Sequence, residues 1–217
     1  MNAELDHVFI CCSVGGPEAD ALRRTGLKEG SPNTHPGQGT ACRRFFFSNA
    51  YLELVWVSDE AEARSPAVAP TRLWERWSRR GGEACPYALV LRPAAGAAAT
   101  PPFASWPYRP QYLPDGLAID VALDTPLEGP AFFYLGFQRG SGRAAEQPTH
   151  HELPCGALTG VTVYRPAAGH SPIATGVEEA GIASFQDADQ YLLELRFDDA
   201  KRGTSDLRPD LPLVLKW

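Results

Sequence analysis

Apolar and polar positions alternate with a period of two along residues 4–12. Leu5, His7, Phe9 and Cys11 share one face, and Val8, Ile10 and Cys12 share the other. Both faces are mostly apolar, so the pattern predicts a strand covered on both sides. Gly15-Gly16-Pro17 then turns the chain, and Ala19, Ala21, Leu22 and Leu27 suit a short helix ending near Gly26. Residues 31–40 form a Pro/Gly-rich loop with no apolar period. Residues 41–47 and 51–57 read as a hairpin across Ser48-Asn49-Ala50. In its second arm Tyr51, Glu53, Val55 and Val57 face one way. Leu52, Leu54 and Trp56 face the other, where they are expected to pack on the helix. Glu53 is left on the side to which His7 can point.

Further along, residues 58–70 are an acidic connector rich in Ala and Pro, and residues 71–80 predict a helix with Thr71 as its cap and Leu73, Trp74 and Trp77 as its apolar stripe. Strands are expected at 87–92, 117–123 and 131–137, with a loop over 93–116 and a polar linker over 140–149. Residues 158–164 read as a strand, and Ser171-Pro172 opens a helix that Gly181 stops. A hairpin over 183–186 and 190–197, a loop over 206–212 and a short strand at 213–216 complete the chain. Two stretches echo each other. Leu158-Thr159-Gly160-Val161-Thr162-Val163 repeats the pattern of Leu5-Asp6-His7-Val8-Phe9-Ile10, and Tyr191-Leu192-Leu193-Glu194-Leu195 repeats Tyr51-Leu52-Glu53-Leu54. The expectation is an α+β fold with a tandem repeat, whose glutamate-bearing strands line a shared cleft. The predicted division is 1–58 for the first module, 59–149 for a connector and insertion with a helix and extra strands, and 150–217 for the second module, all in one compact unit.

Composition narrows the function classes. With 217 residues, 44% apolar and 21% charged, the chain can bury one substantial core or two small modules sharing one. A net charge of −6 without a basic block argues against a nucleic-acid partner. Arg23-Arg24, Arg43-Arg44 and Arg79-Arg80 read as solvated pairs. No apolar run approaches the roughly 20 residues that span a bilayer. Glu4, Asp6 and His7 interrupt any signal-peptide pattern, so a cytoplasmic protein without membrane contact is expected. Five cysteines with no CxxC pair argue against a disulfide framework or a structural zinc site. No phosphate-binding glycine motif follows a strand, so no nucleotide cofactor is expected.

Candidate chemistry centres on a few polar residues in apolar surroundings. A buried carboxylate must meet a cation, a donor, a metal or water. Glu53 and Glu194 are therefore candidate ligands or general bases, with an ion pair to arginine as the plain alternative. His7 is a candidate ligand, or a hydrogen-bonded histidine of a half-buried strand. His35, between proline and glycine residues, is a candidate substrate contact or part of a surface loop. Phe9 and Tyr51 are candidate substrate contacts, and Trp106, with Tyr108 and Tyr112, is a candidate aromatic wall or a pin for a long loop.

Leu5-Asp6-His7-Val8-Phe9-Ile10, His35-Pro36-Gly37-Gln38-Gly39-Thr40 and Tyr51-Leu52-Glu53-Leu54 resemble the vicinal oxygen chelate superfamily, in its glyoxalase-like group of the glyoxalase, bleomycin resistance and dioxygenase type. The stretches 156–163, 191–195 and 207–213 look similar; residues 58–149 match more loosely. The resemblance implies tandem βαβββ modules pairing into an open cup-shaped mixed sheet with helices on the outer face. Metal-dependent members place one ligand on the first strand and one on the last strand of each module. Carried over, these positions are His7, Glu53 and Glu194, with the fourth falling on Gly160. The resemblance implies a small-molecule ligand, with a divalent metal ion assisting lyase, isomerase or dioxygenase chemistry, or else metal-free binding or sequestration without catalysis. It leaves room for a homodimer.

Overall fold

The computed structural model describes residues 1–137 and 147–217, so most of the predicted 140–149 linker lies outside the described residues. The fold is mixed α+β, built on a large curled sheet of eight strands and a second sheet of five. The predicted first strand is β1 (Ala3–Cys11), and the short helix α1 (Ala19–Arg24) follows it. Next come β2 (Asn33–His35), β3 (Thr40–Phe46) and β4 (Tyr51–Val57). Helices α2 (Glu60–Ala63) and α3 (Leu73–Ser78) lead to β5 (Tyr87–Pro93), β6 (Ser105–Tyr108), β7 (Ile119–Ala122) and β8 (Ala131–Tyr134). The order across the large sheet is β2-β3-β4-β1-β5-β8-β7-β6.

That order is a repeat, but not the one the sequence pattern suggested. β1 runs parallel to β4, which continues into an antiparallel meander with β3 and β2. β5 likewise runs parallel to β8, which continues into an antiparallel meander with β7 and β6. The two halves join where β1 and β5 pair antiparallel. The second wall of the cup therefore comes from residues 87–134, inside the stretch expected to be connector and insertion. Its signature was hidden because no helix follows β5: residues 94–104 are turns and irregular chain. β6 was also read as loop because it contains Pro107. As the edge strand of the sheet it tolerates a residue that donates no hydrogen bond.

The stretch expected to be the second module forms the smaller sheet instead. Its strands are β9 (Leu158–Arg165), β10 (Ser184–Asp187), β11 (Leu192–Phe197), β12 (Thr204–Asp206) and β13 (Leu213–Lys216). Their order is β10-β9-β11-β13-β12. The predicted 183–197 hairpin does not form, because β9 lies between β10 and β11. The helix α4 (Pro172–Glu179) carries the parallel crossover from β9 to β10, and Ser171 caps it by accepting from the Ala174 N–H at 3.2 Å.

One apolar core joins the two sheets. The outer face of the large sheet contributes Ile10, Leu54, Leu89 and Phe132; the smaller sheet contributes Val163, Leu193, Leu195 and Leu215. The large sheet's inner face forms a separate apolar layer around Phe9, Val55, Val90 and Phe133, with Leu73 of α3 packed on it. Covering on both faces is what the double apolar pattern of β1 anticipated. No helix among the described residues is long and apolar enough to cross a membrane.

Candidate ligand pocket

Strand alternation brings His7 and Phe9 of β1 and Tyr51 and Glu53 of β4 to the same inner face, because Phe9 pairs with Glu53 and His7 with Tyr51. They line a cavity of about 320 Å³ in the cup. His35 and Asn33 of β2 and Arg44 of β3 add to its polar side, and Val90 of β5 and Phe133 of β8 to its apolar side.

A β-bulge shapes the floor. Leu5 pairs with Leu91 and His7 with Val90, which leaves Asp6 as the extra residue. The irregularity breaks the strict alternation, and the Asp6 carboxylate lies 2.7 Å from Nδ1 of its neighbour His7. The other ring nitrogen of His7 faces Glu53, with Nε2 3.5 Å from Oε2. The His7 ring stacks on Tyr51 at a centroid distance of 4.2 Å. Asp6 in turn accepts from Arg92 Nη1 at 3.1 Å, and Arg92 donates to Glu4 at 2.7 Å and to the Asn49 carbonyl at 3.0 Å. Arg92 sits on β5, so this chain of charges ties the two halves of the cup together.

Burial pushes the His7 imidazole toward its neutral form, but hydrogen bonds and charge from Asp6 and Glu53 outweigh it and raise its pKa above the usual value. Glu53 is the mirror case. Burial alone would raise it, yet the His7 hydrogen bond, the His7 and His35 charges and the Cys42 thiol bring it down to about 2. A carboxylate stands at each ring nitrogen of His7, an arrangement that favours the charged imidazolium over the neutral ring. The pocket thus carries a buried ion pair at its floor and an aromatic and aliphatic wall opposite.

The remaining site candidates separate. His35 lines the pocket, with Nδ1 2.9 Å from the Thr40 hydroxyl, Nε2 3.1 Å from the Asn33 amide, and its ring against Tyr112. Trp106 packs beside Tyr108 and against the inner apolar layer. Glu194 lies on β11 of the smaller sheet, where it pairs with Lys216 at 2.7 Å and Arg196 at 3.3 Å. Gly160 stands opposite Arg196 in that same sheet. Neither is brought to His7 and Glu53. Asn33 and Arg44 line the pocket without having had a functional reading in the sequence, and Cys42 lies buried beside Glu53. Arg44 had been taken as solvated with Arg43. Alternation separates the pair, sending Arg43 out to Glu29 at 2.6 Å and Arg44 inward, where it donates to the Ser31 carbonyl at 2.9 Å. The period-two series Cys42, Arg44, Phe46 was the available signal.

Residues 5–106 match the family model described as the glyoxalase-like domain. The match runs from β1 into β6 and agrees with the resemblance to the vicinal oxygen chelate superfamily. A hypothetical protein from Staphylococcus aureus, known by its crystal structure, shares the fold at a TM-score of 0.54 and 9% identity, covering 99% of this chain and 98% of that one. A xylose isomerase-like TIM barrel/4-hydroxyphenylpyruvate dioxygenase fusion protein aligns at a TM-score of 0.47 and 11% identity, over 90% of this chain and 37% of that one. No curated protein matches the sequence.

The two-sided metal centre that the resemblance implies does not fit the residues of this cup. Its second half would require donors on the inner faces of β5 and β8. Those faces present Ala88 and Val90, and Ala131 and Phe133. The position paired directly with His7 is Val90. Apolar side chains supply no lone pair to a cation.

Proposed function

We propose that the cup binds a small organic molecule with an apolar body and one polar, electron-rich end. The observation that carries this reading is the one-sided distribution of ionisable groups in the cavity. His7, His35 and Arg44 lie with Glu53 on one side, and Phe133 and Val90 on the other. Such a distribution fixes the orientation of a ligand, since its apolar part is driven to the wall and its oxygen atoms to the donors. A volume of about 320 Å³ is at the small end of the roughly 300–1,000 Å³ range of small-molecule sites.

Proton transfer at His7 Nε2 is the chemistry this chain's own residues support. The imidazolium is oriented by Asp6 at Nδ1 and kept charged by Glu53, so it is placed to donate to an oxygen that develops charge beside an apolar wall. That assigns Glu53 to sustaining the acid, and His7 to delivering the proton.

The test uses 1-anilinonaphthalene-8-sulfonate, an aromatic anion, with protein stripped of metals by EDTA. Fluorescence titration is expected to give one site per chain. Phe133→Trp, which fills the cup, is expected to abolish it, and Arg44→Gln to weaken it. Binding that survives Phe133→Trp at unchanged affinity would sink the reading.

A further inference from the structure

Glu53 has more neighbours than His7. The strand register Arg44 to Glu53 and Asn33 to Cys42 places Cys42 of β3 and His35 of β2 diagonally beside it, all on the inner face. One ligand atom each from His35, Cys42 and Glu53 lie within 4.8 Å of one another. We propose that these three side chains form a site for a borderline-soft divalent cation of the Zn²⁺ or Co²⁺ type, contained entirely in the first half of the cup.

The donor set itself points to that class. An imidazole, a thiol and a carboxylate are the ligands tetrahedral zinc takes, whereas magnesium and calcium take oxygen alone. In a tetrahedral site with bonds of about 2.0–2.3 Å, ligand atoms stand roughly 3.3–3.8 Å apart. The observed spacing, no more than 4.8 Å, exceeds that range by about 1 Å, the distance the side chains close on binding. Cys42 is fully buried while His35 and Glu53 line the cavity, so a water or a ligand oxygen reaches the site from the cavity side. Three protein ligands and one open position are the pattern of a working site, not of a structural one.

The surroundings orient the imidazole. Thr40 Oγ1 holds His35 Nδ1 at 2.9 Å, and Gln38 Nε2 donates to the same Thr40 oxygen at 2.8 Å. A second ring of hydrogen bonds of this kind fixes the ligating nitrogen of a metal-bound histidine. On binding, the cation takes the place of the Asn33 contact at His35 Nε2, and the Cys42 thiol gives its proton to solvent as the sulfur–metal bond forms. The ligands missing from the second half of the cup, where Val90 and Phe133 stand, are thus supplied by the two strands beyond β4.

This site shares the cup with the small-molecule reading above, but its test does not depend on it. EDTA-stripped full-length protein is titrated with Co²⁺ and read by absorption. The expected result is one equivalent per chain, visible d–d bands of four-coordinate intensity and a near-ultraviolet sulfur-to-cobalt charge-transfer band. Cys42→Ser is expected to remove the charge-transfer band, and both Cys42→Ser and His35→Ala to weaken binding roughly tenfold or more. His7→Ala is expected to keep the band. Absence of the band in the wild-type protein overturns the site without recourse to any variant, as does a Cys42→Ser protein that binds Co²⁺ equally well. Dye binding in the metal-free protein reports separately on the small-molecule reading.

Discussion

The two halves of the large sheet share a topology and differ in chemistry. In the first, β1 and β4 present His7, Phe9, Tyr51 and Glu53 to the cup; in the second, β5 and β8 present Val90 and Phe133. The outer faces do not differ in this way: Leu52 and Leu54 are matched by Leu89, Leu91 and Phe132, and all are buried in the core shared with the smaller sheet. The strand pairing is held by that outer layer and by the ladders, so the inner face is free to vary without changing the fold. The asymmetry gathers the cavity's ionisable side chains, His7, His35, Arg44 and Glu53, on one side. It also makes Arg92, reaching from β5 to Asp6, the one described ion pair to His7's carboxylate partner from the second half.

The comparison can be broken at that joint. Arg92→Met leaves buried Asp6 paired with His7 alone and removes the charge that crosses between the halves, and a loss of about 3 kcal/mol in urea unfolding is expected. A loss below about 1 kcal/mol would mean that the two halves hold together without the charge link. On the apolar wall, Phe133→Ala is expected to cost about 3 kcal/mol through lost burial and an enlarged cavity. On the polar wall, Glu53→Gln is expected to cost on the order of 2 kcal/mol at neutral pH by leaving the imidazolium half-paired.

That last effect carries a pH signature. Glu53 is depressed to about 2 from an ordinary 4.5, so its contribution is present above pH 4.5 and is lost as pH falls toward 2. The stability gap between wild type and Glu53→Gln should narrow over that window. His7 is shifted the other way. Its contribution is fully present below pH 6.5 and is lost as pH rises through its elevated folded value, so the gap between wild type and His7→Gln should shrink on the alkaline side. Parallel gaps at all pH values would show that neither charge is perturbed. The smallest effect serves as a control: Arg64→Ala removes an exposed pair with Glu60 and is expected to change stability by less than about 0.5 kcal/mol.

Much of the site was readable one strand at a time. Alternation alone put His7 and Phe9 on one face of β1 and Tyr51 and Glu53 on one face of β4, and an ionisable residue in such a strand announces a partner. Cys42 and Arg44 were readable by the same period but were passed over, one as an odd cysteine and one as half of a basic pair. The bulge at Asp6 was not legible, because a one-residue register shift leaves no mark on a single strand's pattern; it exists only against β5.

The sequence by itself determined the α+β class, the double covering of β1, the capped helix at Ser171-Pro172, and the pairing of His7 and Glu53 on one inner face. These follow from local periodicity and from capping chemistry, which act over a few residues. Only the tertiary structure decided which stretch completes the cup. The echo between residues 5–10 and 158–163 is real as a pattern, but a pattern of alternation does not say which edge a strand will join. Residues 87–134 won that place beside β1, residues 158–216 became the sheet behind it, and Glu194 went with them to Lys216 rather than to the pocket. Strand pairing depends on contacts between residues far apart in the chain, and their burial, not their local spelling, selects the partner.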